Sequence, residues 1–256
     1  MSTQAVIAAI KARDWTVVNR APQAGPDLAD QLRAQQSTLD ATSRQIAALA
    51  VAKQNAKGAG SYLLGATADS DVGVTSAAAR SIPDVADLPG APDLLGVIPL
   101  RRDEFVRQQL YFAAGNTRSA ESVERLRVLA AGENARRAAE AAQCALVKLG
   151  AQPERTEFRR RVEAAPPDRV VETCDQLLYV GDVRLARAML PWFGDERNVM
   201  RLGSDRGPER MSRMRDHAVW TAHRLGVKFP PQPAFLDNFD APTTARALAA
   251  VKNLPE

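Results

Sequence analysis

The chain has little of what catalysis or metal binding draws on. It holds 2 histidines and 2 cysteines among 256 residues. That is a poor stock for a four-ligand zinc centre. His217 and His223, in RDHAVWTAHRLG, stand about 600° apart along a helix and cannot grip one ion. Asp216 beside His217 reads as part of a charged seam with Arg215, not as an acid–base pair. No G-x-S-x-G occurs, and in KGAGSYLLGA the lysine precedes the glycines, the reverse of a phosphate-binding loop. Cys144 and Cys174 lie in apolar helical patterns and read as small buried side chains in a reducing compartment. Their number and spacing support no disulfide framework. No catalytic residue, metal or cofactor is expected. No apolar run approaches the ~20 residues that span a bilayer, and no membrane partner is expected. MSTQAVIAAIKARDW lacks the basic start, apolar stretch and cleavage site of a secretory signal. The cytoplasm is the default reading. Valine and isoleucine nowhere alternate with polar residues over a long run, so strand signals are poor.

What remains is helical. Hydrophobic residues make up 45% of the chain and aromatics only 5%. The balance is filled by alanine, the best helix former and a side chain that lets helices approach closely. Helices are predicted from Gln4 to Trp15, from Asp27 to Leu39, and from Asp40 or Thr42 to Ala56. Asp27 and Asp40 are caps for the free N–H groups of a first turn. After a break at Gly58–Gly60 come Ser61–Ala68 and Asp71–Ile82, then a loop from Pro83 to Pro92. Beyond it LLGVIPL pairs with EFVRQQLYFAAG, in which Phe105, Leu110, Phe112 and Ala113 are candidates for the packed side. Ser119 is expected to cap the next helix, with Val123, Leu126, Leu129 and Ala130 on one stripe. Three further helical segments, ERTEFRRRVEAA, PPDRVVETCDQLLYVG and DVRLARAMLPWF, lead to a polar loop from Gly194 to Pro208. ERMSRMRDHAVWTAHRLG then reads as one helix, and Thr243–Val251 as a final one.

Successive second helices are expected to stop at Gly115, Gly150, Gly181 and Gly226, each supplying the left-handed backbone of a helix end. Discounting the 194–208 loop, these glycines recur with a period of about 30 residues, which marks a repeat architecture. ENARRAAEAAQCALVKLG resembles the second helix of a bacterial HEAT-like repeat. RMRDHAVWTAHRLG and RVVETCDQLLYVGD are similar, and LLGVIPLRRDEFVRQQLYFAAG reads as a whole hairpin of that kind. The resemblance implies an all-α fold, an α-solenoid of roughly six to seven HEAT-like hairpins over residues 1–256. The repeats are degenerate in 1–92 and clearest in 93–226, with a cap in 227–256.

That resemblance carries an architecture and no activity. HEAT-like families include protein-binding scaffolds, adaptor and immunity proteins, bilin lyases and a DNA glycosylase group. The expected function is a non-catalytic protein–protein interaction module using the solenoid's concave face and the 194–208 loop. A nucleic-acid binder or glycosylase of the HEAT-like type is the alternative. A formal net charge of +4 and arginine clusters motivate it, although Trp15, Trp192 and Trp220 do not fall into that group's pattern. The partner-binding candidates are Arg159, Arg160, Arg161, Trp192, Arg197, Arg201, Arg206 and Arg213. Arginine and aromatic side chains dominate binding hot spots. Arg101 and Arg102 form a smaller basic cluster at a hairpin turn.

Overall fold

Three aspartates set the pattern of the N-terminal half. Asp40, Asp71 and Asp103 each precede a helix, and each accepts the backbone N–H three residues on, from Ser43 (2.8 Å), Val74 (3.0 Å) and Val106 (3.0 Å). A carboxylate there satisfies an otherwise orphaned donor and faces the positive end of the helix dipole. The computed structural model describes residues 1–202 and 210–255 and is mostly helical. Contacts divide it into two compact units, Met1–Leu149 and Gly150–Glu256.

The first unit opens with α1 (Thr3–Lys11) and the short α2 (Val17–Arg20). Four helix pairs follow: α3 (Leu28–Gln35) with α4 (Ala41–Gln54), α5 (Ala59–Ala66) with α6 (Val72–Ser81), α7 (Ala91–Val97) with α8 (Glu104–Asn116), and α9 (Val123–Ala131) with α10 (Arg136–Lys148). First and second helices alike begin 31, 32 and 32 residues apart. The second helices pack in sequence, α4 on α6, α6 on α8 and α8 on α10. Their facing stripes are small, with Ala47 and Ala50 on α4, Ala78 on α6, Ala113 on α8 and Ala141 on α10 all buried. Leu32, Leu63, Leu94 and Leu126 of the first helices are wholly buried as well. Polar bonds one repeat long fix the offset between pairs. The Asn55 side-chain oxygen accepts from Ala86 N at 2.6 Å, and Asn116 Nδ2 donates to Pro83 O at 2.7 Å.

The second unit holds α11 (Gln152–Glu163), α12 (Val170–Val180), a 3₁₀ helix from Val183 to Gly194, β1 (Asn198–Leu202), β2 (Arg210–Arg213), α13 (Met214–Arg224) and α14 (Ala241–Lys252). β1 and β2 pair antiparallel, with Met200 opposite Ser212, Arg201 opposite Met211 and Leu202 opposite Arg210. This hairpin corrects two expectations. Where a polar loop was expected, residues 198–202 form a strand. The helix expected across ERMSRMRDHAVWTAHRLG starts only at Met214, because Asp216 Oδ2 takes the Arg213 backbone N–H at 2.8 Å and caps it there. Residues 203–208 of the expected loop lie outside the described residues.

Two helix-end readings also change. Gly150, Gly181 and Gly226 have the expected positive φ, but Gly115 is buried inside α8, and Arg118 adopts the left-handed conformation beyond it. Ser119 makes no side-chain capping bond. Both cysteines are buried, and no disulfide joins them. Among the described residues no helix is long and apolar enough to cross a membrane.

The close approach of consecutive pairs is tightest at Gly60 in α5. A Cβ there would overlap the Asp87 carbonyl oxygen and stand 2.7 Å from Pro89 Cδ and 3.1 Å from Leu88 Cα, in the loop that enters α7. Gly60→Ala is expected to destabilise the chain by about 1–3 kcal/mol through overpacking against backbone. Gly65→Ala, in the same helix with nothing within 4 Å, is expected to stabilise it by about 0.5–1 kcal/mol. Urea unfolding of the two variants checks the contrast, and equal effects would contradict it.

Candidate interaction surface

The turns that join first to second helices in the first unit lie along one edge, and clefts open between successive turns. The first, of about 540 Å³, is lined by Arg33, Gln36, Ser37, Arg44, Asp69 and Ser70. The second, of about 210 Å³, includes Thr67, Asp69, Thr75, Leu100, Arg101 and Arg102. The third, of about 660 Å³, includes Arg101, Arg107, Tyr111, Val128, Leu129 and Glu133.

Repeat-equivalent ion pairs build the two outer clefts. Arg44, fourth residue of α4, donates Nε and Nη2 to Asp69 at 2.7 and 2.9 Å. Arg107, fourth residue of α8, donates the same atoms to Glu133 at 2.8 and 3.0 Å. Asp69 and Glu133 each stand three residues before the next second helix. The fork geometry of arginine suits this two-point grip on a carboxylate. The remaining nitrogen of each fork holds the turn before its own helix. Arg44 Nη1 donates to Leu39 O, and Arg107 Nη1 to the carbonyls of Arg101 (3.0 Å) and Arg102 (2.8 Å).

The Arg44 guanidinium holds the Asp69 carboxyl below its ordinary pKa. Burial pushes the Glu133 carboxyl up, but hydrogen bonds from Arg107 and Ala135 N–H outweigh that and leave it lowered. Burial raises the Tyr111 phenol to about 12, with Glu133 adding to the shift. Burial lowers the Arg101 pKa, and its Nε makes one bond, to Thr67 Oγ1 at 3.2 Å.

Most of the arginines expected at a binding surface in the second unit are tied to local partners. Arg159 pairs with Glu163 at 2.9 Å and Arg160 with Glu157 at 2.6 Å. Arg161 donates to Gln176 at 2.6 Å and lies over the Phe158 ring. Arg197 grips Asp195, and Arg213 grips both Asp216 and Glu196. Arg201 is exposed on β1. Arg206 lies outside the described residues. Trp192, expected to offer its ring to a partner, is 1% exposed and packs inside the unit. The 3₁₀ helix that carries it packs on α13 and α14.

Asp216 is the hub of that unit. Beyond the three bonds from Arg213, it accepts from Phe239 N (3.0 Å) and Asn238 Nδ2 (3.1 Å), which ties the segment before α14 to the start of α13. Burial raises its carboxyl, and these donors overcome that to hold it below its ordinary value. No bond joins Asp216 to His217. The His217 ring Nε2 lies 3.0 Å from Ser212 Oγ, which itself donates to Met200 O across the strand pair. Ser212 is fully buried, so this pair braces the hairpin and offers no nucleophile to solvent. Burial raises the Cys174 thiol to about 12, far from the thiolate that reactive cysteines need. Among the described residues no three His, Cys, Asp or Glu side chains group to hold a metal.

Sequence reasoning missed the Arg44 and Arg107 pairs, though a signal exists. Both arginines follow a capping aspartate by four residues, in DATSR and DEFVR. Comparison of the chain with family models, with curated proteins and with solved structures finds no match.

Arg107 and Glu133 are 17% and 6% exposed, so Glu133→Gln alone, which strands the guanidinium, is expected to cost about 2–4 kcal/mol. Adding Arg107→Met removes the stranded charge and should recover part of it, with the bonds to the Arg101 and Arg102 carbonyls still lost, and equal losses in single and double variants by chemical denaturation would contradict the pairing. His217 has a lowered pKa, chiefly from burial and against the pull of Asp216. The folded protein therefore resists protonation there. The stability that the neutral ring contributes is complete above the unfolded value of about 6.5 and is lost as pH falls through the folded value. The melting temperature of the chain should drop from about pH 7 to about pH 5, less steeply in His217→Gln. Parallel profiles for the two proteins would contradict this.

Proposed function

We propose that this chain is a non-catalytic protein-interaction module, an α-solenoid of HEAT-like hairpins that offers its repeated edges and the 194–208 segment to a protein partner. The observation that carries this reading is the spacing of the first unit. Four helix pairs begin 31 or 32 residues apart, and each second helix packs on the next. Stacked repeats of this kind present equivalent side chains at regular intervals, which suits an extended partner. The buried Ser212, the raised Cys174 thiol and the structural role of His217 all fit a module without catalysis.

The alternative, a nucleic-acid binder, draws on the net charge of +4. Arginines that neutralise phosphates need free guanidinium groups, and here Arg44, Arg107, Arg159, Arg160, Arg197 and Arg213 are engaged by carboxylates. The balance therefore favours a protein partner. A pull-down from the native lysate, repeated after nuclease and at high salt, separates the two. A protein retained through both treatments is the expected result. Nucleic acid alone, released by salt as counterion exchange requires, would replace this reading with the alternative.

A further inference from the structure

The ladder of ion pairs along the first unit has one exception. Positions 69, 101 and 133 each stand three residues before a second helix, and positions 44, 75 and 107 are the fourth residues of the second helices that precede them. The outer steps are the pairs Arg44–Asp69 and Arg107–Glu133. At the middle step the charge is reversed and unanswered: Arg101 takes the place of the carboxylate, and the neutral Thr75 the place of the arginine. Both line the small middle cleft. Arg101 keeps only its bond to Thr67. Of the five donors of a guanidinium, the other four meet no partner among the described residues. Its neighbour Arg102 is exposed and in no ion pair among them.

The carboxylates nearby do not compensate. Asp69 is held by Arg44 and Glu133 by Arg107, while Asp103 and Glu104 accept the backbone N–H groups of Val106 and Arg137. Arg107 fixes the carbonyls of both Arg101 and Arg102, so the two guanidinium groups project from a braced turn. Apolar surface stands on either side, with Leu100 71% and Val128 73% exposed. Arg101 itself borders both the middle and the third cleft.

We propose that the Arg101–Arg102 turn and its two flanking clefts are a docking site for an acidic peptide segment of a partner protein. A carboxylate of that segment takes the guanidinium of Arg101, supplying the charge that the equivalent steps obtain internally. An aliphatic side chain covers Val128. Packed helices stand about 10 Å apart, about three residues of extended chain. The segment therefore carries an acidic and an aliphatic residue about three apart. The proposal rests on the reading of this chain as an interaction module and names its partner class.

The test is fluorescence anisotropy with a labelled peptide of about twelve residues carrying Glu and Leu three residues apart, beside the same peptide with Gln for Glu and a single-stranded oligonucleotide. The acidic peptide is expected to bind at least about tenfold tighter than its Gln counterpart, and more weakly as salt rises. R101Q with R102Q should remove that preference while melting as the wild type does, because Arg107–Glu133 is untouched. Thr75→Glu, which places a carboxylate of the chain itself in the middle cleft, should also block the peptide and raise the melting temperature. Equal binding of the acidic and Gln peptides, preference for the oligonucleotide, or unchanged binding in both variants would overturn the site. A native partner captured equally by wild type and R101Q/R102Q would also overturn the site and leave the module reading standing. Failure to capture any protein would remove that reading itself.

Discussion

The first turn of each second helix in the N-terminal unit leaves backbone N–H groups that no preceding helical carbonyl can take, and burial among packed hairpins makes them costly to leave unmet. Asp40, Asp71 and Asp103 meet that demand at one position in three successive hairpins. Before α10 the capping position is Ala135, and Glu133 accepts its N–H instead. Once the start of each helix is pinned, the fourth residue points toward the next turn. Arg44 and Arg107 then reach a carboxylate one repeat away with two nitrogens and brace their own turn with the third. Alanine stripes between the second helices allow the close spacing that this reach requires.

The second unit solves the same problem by concentration instead of repetition. One carboxylate, Asp216, caps α13, pairs with Arg213 and collects the segment that precedes α14. A fully buried serine and a neutral imidazole hold the strand pair against the helix. The arginines there serve cohesion more than display, as shown by Arg213 reaching Glu196, Asp216 and the Phe239 carbonyl.

Helix content, most helix starts and the burial of both cysteines were legible in the sequence, because capping aspartates and apolar stripes are local signals. The even spacing of the helix pairs was legible only in part. Glycine stops pointed to residues 93–226, but the most even spacing runs from Leu28 to Lys148. There Asn55 and Arg118 adopt the left-handed conformation, so counting glycines passes over two of the ends. The strand pair was hidden for a different reason. Its stabilising contacts, Ser212 to His217 and Asp216 to Arg213, pay no heed to hydrophobic period. Trp192 shows the limit of composition: an arginine-rich, aromatic segment resembles a binding surface until the packing that buries its ring is known. The ladder itself was open to inspection as an aspartate followed four residues later by arginine, but its partners lie 25 and 26 residues on.

Hairpins of equal length invite the view that they are interchangeable, and the alternation along the ladder says otherwise. Excising one 32-residue pair between α4 and α8 would bring Arg44 opposite Arg101 and set two cations face to face. Excising two would bring it opposite Glu133, and the interface would close with its native chemistry. Removing the α5–α6 hairpin alone would thus cost that interface its ion pair, whereas removing α5 through α8 together would keep one.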